Sequence, residues 1–312
     1  MNAIQTEKLS KVFDGVTAVD QLTLSVAEGE IFGLVGPDGA GKTTTMRLLT
    51  GIMDPTAGEG WVCGLHTVRE AEAIKEKIGY MSQRFGLYPD LTVMENIEFY
   101  ADIYGVARKD RASSIDRLLA FSNLTPFKKR QAGNLSGGMK QKLGLACALI
   151  HQPKVLFLDE PTNGVDPVSR RDFWRILYQL LQEKVTIFVS TSYLDEAERC
   201  HRVGLIHKGK LLAVGTPDEL KHLMRGTILE VCAAIPRHAK VVLRKVFGTN
   251  SVSLFGDKVH VVTTTPEKTA RDIEFILAQE KLEVTGVRVL EPALEDVFVS
   301  VLGAKEEDNA HE

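Results

Sequence analysis

The stretch Gly36-Pro37-Asp38-Gly39-Ala40-Gly41-Lys42-Thr43 constrains this chain more than any other. It fits G-x-x-x-x-G-K-[ST], a glycine-rich turn that wraps a phosphate. The flanks agree. Residues 31–35, Ile-Phe-Gly-Leu-Val, read as a buried strand. Residues 42–52 read as a helix with Met46, Leu48 and Leu49 apolar. Strand, turn and helix together aim backbone N–H groups and a helix N-terminus at an anion. Gly36, Gly39 and Gly41 let the backbone curl closely, because glycine has no Cβ. In this pattern Lys42 reaches the β- and γ-phosphates, and the Thr43 hydroxyl ligates Mg²⁺. Ala40 and Thr44 complete the set of residues expected to line the phosphates.

Such an ion needs a carboxylate as well. Residues 155–158, Val-Leu-Phe-Leu, read as a strand buried on both faces, as in a parallel sheet. Asp159 stands at its end, where ligands bind in open α/β sheets. Glu160 follows and is placed to polarise an attacking water. The formal net charge of −3 argues against non-specific binding to nucleic acid through bulk charge. The one basic run, Lys128-Lys129-Arg130, reads as a solvated loop, with a nucleic-acid contact as the weaker alternative. No apolar run approaches the roughly 18 residues of a membrane helix, and residues 1–8 lack the apolar core of a leader. Cys63, Cys147, Cys200 and Cys232 are scattered without metal spacing, so buried free thiols in a reducing compartment are expected.

Between the two phosphate-site motifs lies Leu135-Ser136-Gly137-Gly138-Met139-Lys140-Gln141. Alone, it is a loop and a helix cap whose glycines open an anion-binding N-terminus. In this company the chain resembles the ATPase cassettes of ABC transporters, whose signature is L-S-G-G-x-x-Q or close to it. The resemblance covers roughly the first 220 residues. It implies an α/β fold: a P-loop cassette of mixed sheet and helical subdomain, the latter at about residues 84–150. It implies that ATP and Mg²⁺ bind, and that Ser136, Gly137 and Gly138 cap the γ-phosphate held by a facing cassette. Gln83 matches the glutamine that contacts Mg²⁺ and water. Phe13 matches the aromatic that stacks on adenine, with a core aromatic on an edge strand as its other reading. Asp166 matches the loop that crosses to the other site, and with Pro167 it also suits a helix N-cap. Phe173, Ile176, Leu177, Leu180 and Leu181 then form the packing face of an amphipathic helix. Within the family the chain resembles bacterial drug-exporter ATPases encoded apart from their permeases, and one half of tandem-cassette versions.

One position departs from the family. In hydrolysing relatives a histidine follows Ser-Thr in this strand and contacts the γ-phosphate. Here the segment reads Ser190-Thr191-Ser192. Ser192-x-x-Asp195 resembles a capping box, so a plain cap remains open beside a site role. Serine is shorter than histidine and carries no charge near neutral pH. His201 and His207 lie too far downstream to replace it. Asp38 is a smaller departure, since the family usually has asparagine there. An intact signature beside a weakened site suggests an asymmetric dimer, in which this chain completes a competent site on a different cassette.

The cassette is expected to end at residue 225, after a helix capped by Thr216 with Pro217 at its first turn. Residues 226–304 read β-α-β-β-α-β plus a final helix at 294–302, a small ferredoxin-like α+β domain. Within it Gly256-Asp257 marks a hairpin turn. Residues 305–312 are polar and expected to be a disordered tail. The expected partners are membrane permease subunits and a second cassette, in a homodimer or an unequal heterodimer, at the cytoplasmic face of the cell membrane. Two other readings stay open: a regulatory cassette with negligible hydrolysis, and a soluble non-transport ABC ATPase.

Overall fold

The computed structural model describes residues 1–310 apart from 84, 85, 225 and 250, with the backbone alone over 303–310. The chain divides into two units, Met1–Val214 and Gly215–Glu312.

The first unit opens with a hairpin of β1 (Asn2–Phe13) and β2 (Val16–Ala27). Asp14 and Gly15 make its two-residue turn, both with positive φ, 43° and 85°, the geometry that matches the twist of tight hairpins. Next come β3 (Ile31–Val35), α1 (Lys42–Leu49), β4 (Ala57–Val62), β5 (Leu65–His66), α2 (Ala71–Lys75) and β6 (Ile78–Met81). Helix α1 ends three residues before the expected 52: Gly51 takes φ 67° and Thr50 returns its hydroxyl to Met46 O. Three helices follow: α3 (Val93–Ile103), α4 (Arg108–Phe121) and α5 (Gly137–Leu149). They fall within the segment expected to be helical, and α3 starts with a reciprocal capping box between Thr92 and Glu95. The unit closes with β7 (Val155–Asp159), α6 (Pro167–Gln182), β8 (Thr186–Thr191), α7 (Leu194–Ala197), β9 (Arg202–His207) and β10 (Lys210–Gly215). On α6, Phe173, Ile176, Leu177 and Leu180 are buried as expected, Trp174 joins them, and Leu181 is half-buried.

One sheet is antiparallel, in the order β2-β1-β4-β5. The other runs β10-β9-β3-β8-β7-β6, and β9, β3, β8, β7 and β6 pair in parallel. Strands β3, β7 and β8 are buried along their whole length, as central parallel strands must be. Phe157, Phe188 and Phe32 lie in register across β7, β8 and β3. Their ring centroids are 5.6 and 5.5 Å apart. Such pairs add about 0.5–1.5 kcal/mol each beyond the area they bury. This row fixes the register of the next same-facing row, two residues on: Asp159 beside Ser190 beside Leu34. A slip of one residue would turn Asp159 to the opposite face.

The second unit contains α8 (Pro217–Lys221), β11 (Thr227–Ala233), α9 (Pro236–Phe247), β12 (Val252–Phe255), β13 (Lys258–Thr263), α10 (Pro266–Gln279), β14 (Val284–Leu290) and α11 (Leu294–Ala310). The strands form an antiparallel sheet, β12-β13-β11-β14. From β11 to β14 this is the expected βαββαβ order, with Gly256 at positive φ in the β12–β13 turn. Leu229, Val231 and Val261 of the sheet pack with Leu243, Ile273 and Leu277 of α9 and α10. Two boundaries differ from expectation. The division falls after Val214, so α8, with its Thr216–Glu219 capping box, belongs to the second unit, where it packs on α11. The segment expected to be a disordered tail is helical through Ala310, and its last two residues lie outside those described. All four cysteines are free thiols; Cys147 and Cys200 are buried, Cys63 and Cys232 half-buried. Among the described residues no helix is long and apolar enough to cross a membrane.

Candidate functional site

The glycine loop joins β3 to α1, and its three glycines serve different ends. A Cβ on Gly36 would lie 2.1 Å from Ile206 O, and one on Gly41 2.3 Å from Ala18 O. Both positions need glycine because neighbouring backbone presses on them. Gly39 has open space but φ 77°, which disfavours any side chain. The loop wraps the buried Lys42 ammonium, which donates to Gly36 O at 2.7 Å and Pro37 O at 3.1 Å. Asp38 is exposed at the loop tip, Ala40 is buried beneath it and Thr44 is half-buried on the first turn of α1.

The end of β7 meets this loop. The Thr43 hydroxyl donates to Asp159 Oδ1 at 3.1 Å, and Ser190 Oγ donates to the same oxygen at 2.6 Å. Asp159 Oδ2 is buried without a hydrogen-bond partner. A buried carboxylate oxygen rarely stays unpaired, and beside a hydroxyl it is an oxygen pair suited to a hard cation. Among the described residues there is no cluster of three acidic, histidine or cysteine side chains able to hold a metal alone. Mg²⁺ usually makes up the deficit with substrate phosphates and water, so Thr43 and Asp159 fit that ion. Tyr80 lies close by on β6; burial, and then the Asp159 charge, push its phenol up.

Glu160 takes a left-handed conformation, φ 49°, which costs about 1–2 kcal/mol for a residue with a Cβ. Its N–H is held in compensation by Ser190 O at 3.2 Å and Ser190 Oγ at 3.0 Å. The turn brings the Glu160 carboxylate back over the loop. Oε1 lies 3.0 Å from Lys42 Nζ, both side chains being about 6% exposed. Oε2 accepts from Ser192 N at 3.2 Å and faces Ser192 Oγ at 3.4 Å. Ser192 therefore does not cap α7. The N-cap is Tyr193, which stays extended (ψ 112°) and makes no side-chain cap bond, and its N–H is held by Thr191 Oγ1 at 3.0 Å. The capping-box reading is overturned, and Ser192 stands against Glu160.

The remaining residues lie as follows. Gln83 is exposed, two residues beyond β6, and emerges at the same sheet edge as Asp159 because Met81 pairs with Leu158. Phe13, at the tip of the β1–β2 hairpin, is 41% exposed with Lys11 Nζ 5.2 Å above its ring, so it is no core aromatic. Asp166 caps α6 by accepting from Ser169 N at 2.9 Å; that bond holds its carboxyl below the usual range. Ser136 caps α5, accepting from Met139 N at 3.3 Å, and is exposed with Gly137. A Cβ on Gly138 would lie 2.5 Å from the Ser169 side chain, whereas one on Gly137 would meet nothing. Ser190 is the site residue that the motifs did not name. Its signal was a buried hydroxyl pair, Ser190 and Thr191, closing an apolar strand.

Residues 19–163 match the family described as ABC transporter, and residues 215–302 match "ATP-binding protein DrrA1-3-like, C-terminal domain". The chain is 42% identical over 299 residues to the probable multidrug ABC transporter ATP-binding protein YbhF of Escherichia coli (strain K12), covering 95% of this chain but 51% of that protein. It is 33% identical over 311 residues to the daunorubicin resistance ATP-binding protein DrrA2 of Streptomyces coeruleorubidus, covering 98% of this chain and 97% of that one. It thus spans about half of YbhF and nearly all of DrrA2. Among solved structures, the dimeric bacterial ABC transporter cassette MJ0796 superposes with a TM-score of 0.63 at 26% identity, over 68% of this chain and 98% of that one. The chain therefore belongs to the ATP-binding proteins of ABC transporters, a family of ATPases coupled to transport, and carries the DrrA-like C-terminal domain.

Proposed function

We propose that this chain is the ATP-driven engine of a drug-exporter complex, acting at the cytoplasmic face of the membrane on separately encoded permease subunits. ATP binds with its phosphates in the loop of residues 36–43 and its adenine against Phe13. A second cassette closes over it, and each cassette's Ser136–Gly137–Gly138 tip caps the γ-phosphate held by the other. Gly137 is compatible with this part of the reading: it is exposed and a Cβ there would meet nothing within 4 Å, so the N-terminus of α5 is open to a neighbour. Bound Mg²⁺, held by Thr43 and Asp159 with Gln83 nearby, would neutralise developing phosphate charge. The Glu160 carboxylate orients and polarises the attacking water. Lys42 and Ser192 N hold that carboxylate in place.

The convergence of Lys42, Thr43, Asp159 and Glu160 at one strand end carries the proposal. Ser192 qualifies it, because it stands where hydrolysing relatives carry a histidine on the γ-phosphate, and a serine is shorter and uncharged near neutral pH. Losing one preorganised donor costs about 10²–10³ in rate, so this chain's own site turns over slowly and a more competent site lies on an unlike cassette. A regulatory cassette with negligible hydrolysis is the second reading, and it rests on the same residue, Ser192. The test is single-turnover cleavage of ATP with the chain in excess. Slow cleavage that Glu160→Gln abolishes, with ATP affinity retained, supports the first reading. Tight binding without cleavage favours the second, and absence of ATP binding defeats both.

A further inference from the structure

Glu196 is a carboxylate without any exposed surface, four residues beyond Ser192 and outside the phosphate site. Burying an ion costs several kcal/mol even after relaxation, and close partners offset the cost only with good geometry. An apolar side chain of similar volume would satisfy folding at lower cost. The partners of Glu196 show what the acid gains. Oε1 accepts from the Thr162 hydroxyl. Oε2 accepts from the Thr191 hydroxyl at 3.0 Å. Arg170 Nε lies 3.3 Å from Oε1.

These partners come from three different segments. Thr162 is two residues past Glu160. Thr191 immediately precedes Ser192, and its hydroxyl also accepts the Tyr193 N–H, which shapes the turn that presents Ser192. Arg170 is on the first turn of α6, whose N-cap is Asp166. The Arg170 guanidinium also lies 4.2 Å over the Tyr193 ring and 3.7 Å from Asp195. One buried carboxylate thus ties together the Glu160 turn, the Ser192 turn and the Asp166 loop.

We propose that Glu196 is a positioning residue for ATP cleavage, linking the loop that faces the second cassette to the carboxylate that activates water. This rests on the face-to-face ATPase reading above. When the Asp166 loop engages a neighbour, α6 and Arg170 shift with it, and Glu196 passes the shift to Thr162 and Thr191. The Glu160–Ser192 contact, already formed in the single chain, is then adjusted for cleavage when the neighbour engages.

The test compares the full chain with its Glu196→Gln variant in single-turnover ATP cleavage, ATP affinity and thermal midpoint. Glutamine keeps the shape but loses one acceptor oxygen and the charge facing Arg170. The expected result is a cleavage rate lower by about tenfold or more, with ATP affinity within about twofold. Asp166→Ala should slow the parent chain yet slow the Glu196→Gln chain much less, because both substitutions break one linkage. A purely structural ion pair would instead lower affinity and thermal midpoint together, and the two substitutions would multiply; either result overturns the proposal. Should Glu196→Gln fail to fold, Thr162→Val carries the same comparison, since it removes one hydroxyl and keeps the buried pair. A parent chain that cleaves no ATP defeats the ATPase reading itself. A parent that cleaves, beside variants that cleave equally well, defeats only the role of Glu196.

Discussion

Replacing Ser190 by alanine tests the hydrogen bonds that hold the two site carboxylates. Ser190 is fully buried. Its hydroxyl donates to Asp159 Oδ1 at 2.6 Å and accepts from Glu160 N at 3.0 Å. Neither partner is orphaned by its loss: Asp159 Oδ1 keeps the Thr43 hydroxyl at 3.1 Å, and Glu160 N keeps Ser190 O at 3.2 Å. A hydrogen bond to a charged group contributes about 1.5–3 kcal/mol and a neutral one about 1. Because both partners retain a second contact, the low end applies, and the expected loss is about 2–3 kcal/mol. For a unit of this size each kcal/mol lowers Tm by about 2–4 °C, so the cassette transition should fall by about 4–12 °C. Calorimetry reads it, and the cassette transition is the one that Mg-ATP moves upward. A double-mutant cycle with Asp159→Asn should show the two substitutions to be strongly coupled. A fall below about 2 °C, or equal losses in both backgrounds, would refute the assigned hydrogen bonds.

Two further outcomes follow from the geometry. Ser192→His should raise single-turnover cleavage towards the 10²–10³-fold typical of one preorganised donor; an unchanged rate would show that this position does not limit the site. Gly138→Ala should destabilise the cassette, since its Cβ would sit 2.5 Å from Ser169, whereas Gly137→Ala should leave Tm unchanged or raised and weaken only ATP-dependent association. Equal thermal losses in calorimetry would contradict the division of roles between these two glycines.

What the sequence announced was whatever lies contiguous along the chain. The loop at 36–43, the acidic pair at the end of β7 and the βαββαβ order of the second unit were all legible. Ser190 was not, because its role depends on cross-strand register, which the Phe157–Phe188–Phe32 row helps to fix. The Ser192 cap misled for a local reason. A capping box needs the helix to begin at the next residue, but Tyr193 stays extended and Ser192 is turned against Glu160 instead. Glu196 sits in the run Asp195-Glu196-Ala197-Glu198, which looks like a solvated helix face; only the fold shows that one of its acids is buried. The boundary at Val214 was missed because α8 carries strong capping signals but no mark of which core it joins.

The central claim is that triphosphate is clasped between the loop of one cassette and the Ser136 tip of another. A photoreactive group attached to the γ-phosphate of ATP, bound to the Glu160→Gln chain with Mg²⁺, tests it most directly. The account predicts ATP-dependent pairing of cassettes and labelling of the peptide that contains Ser136 across the dimer. Labelling confined to the same chain's loop, with no pairing when ATP is bound, would contradict it.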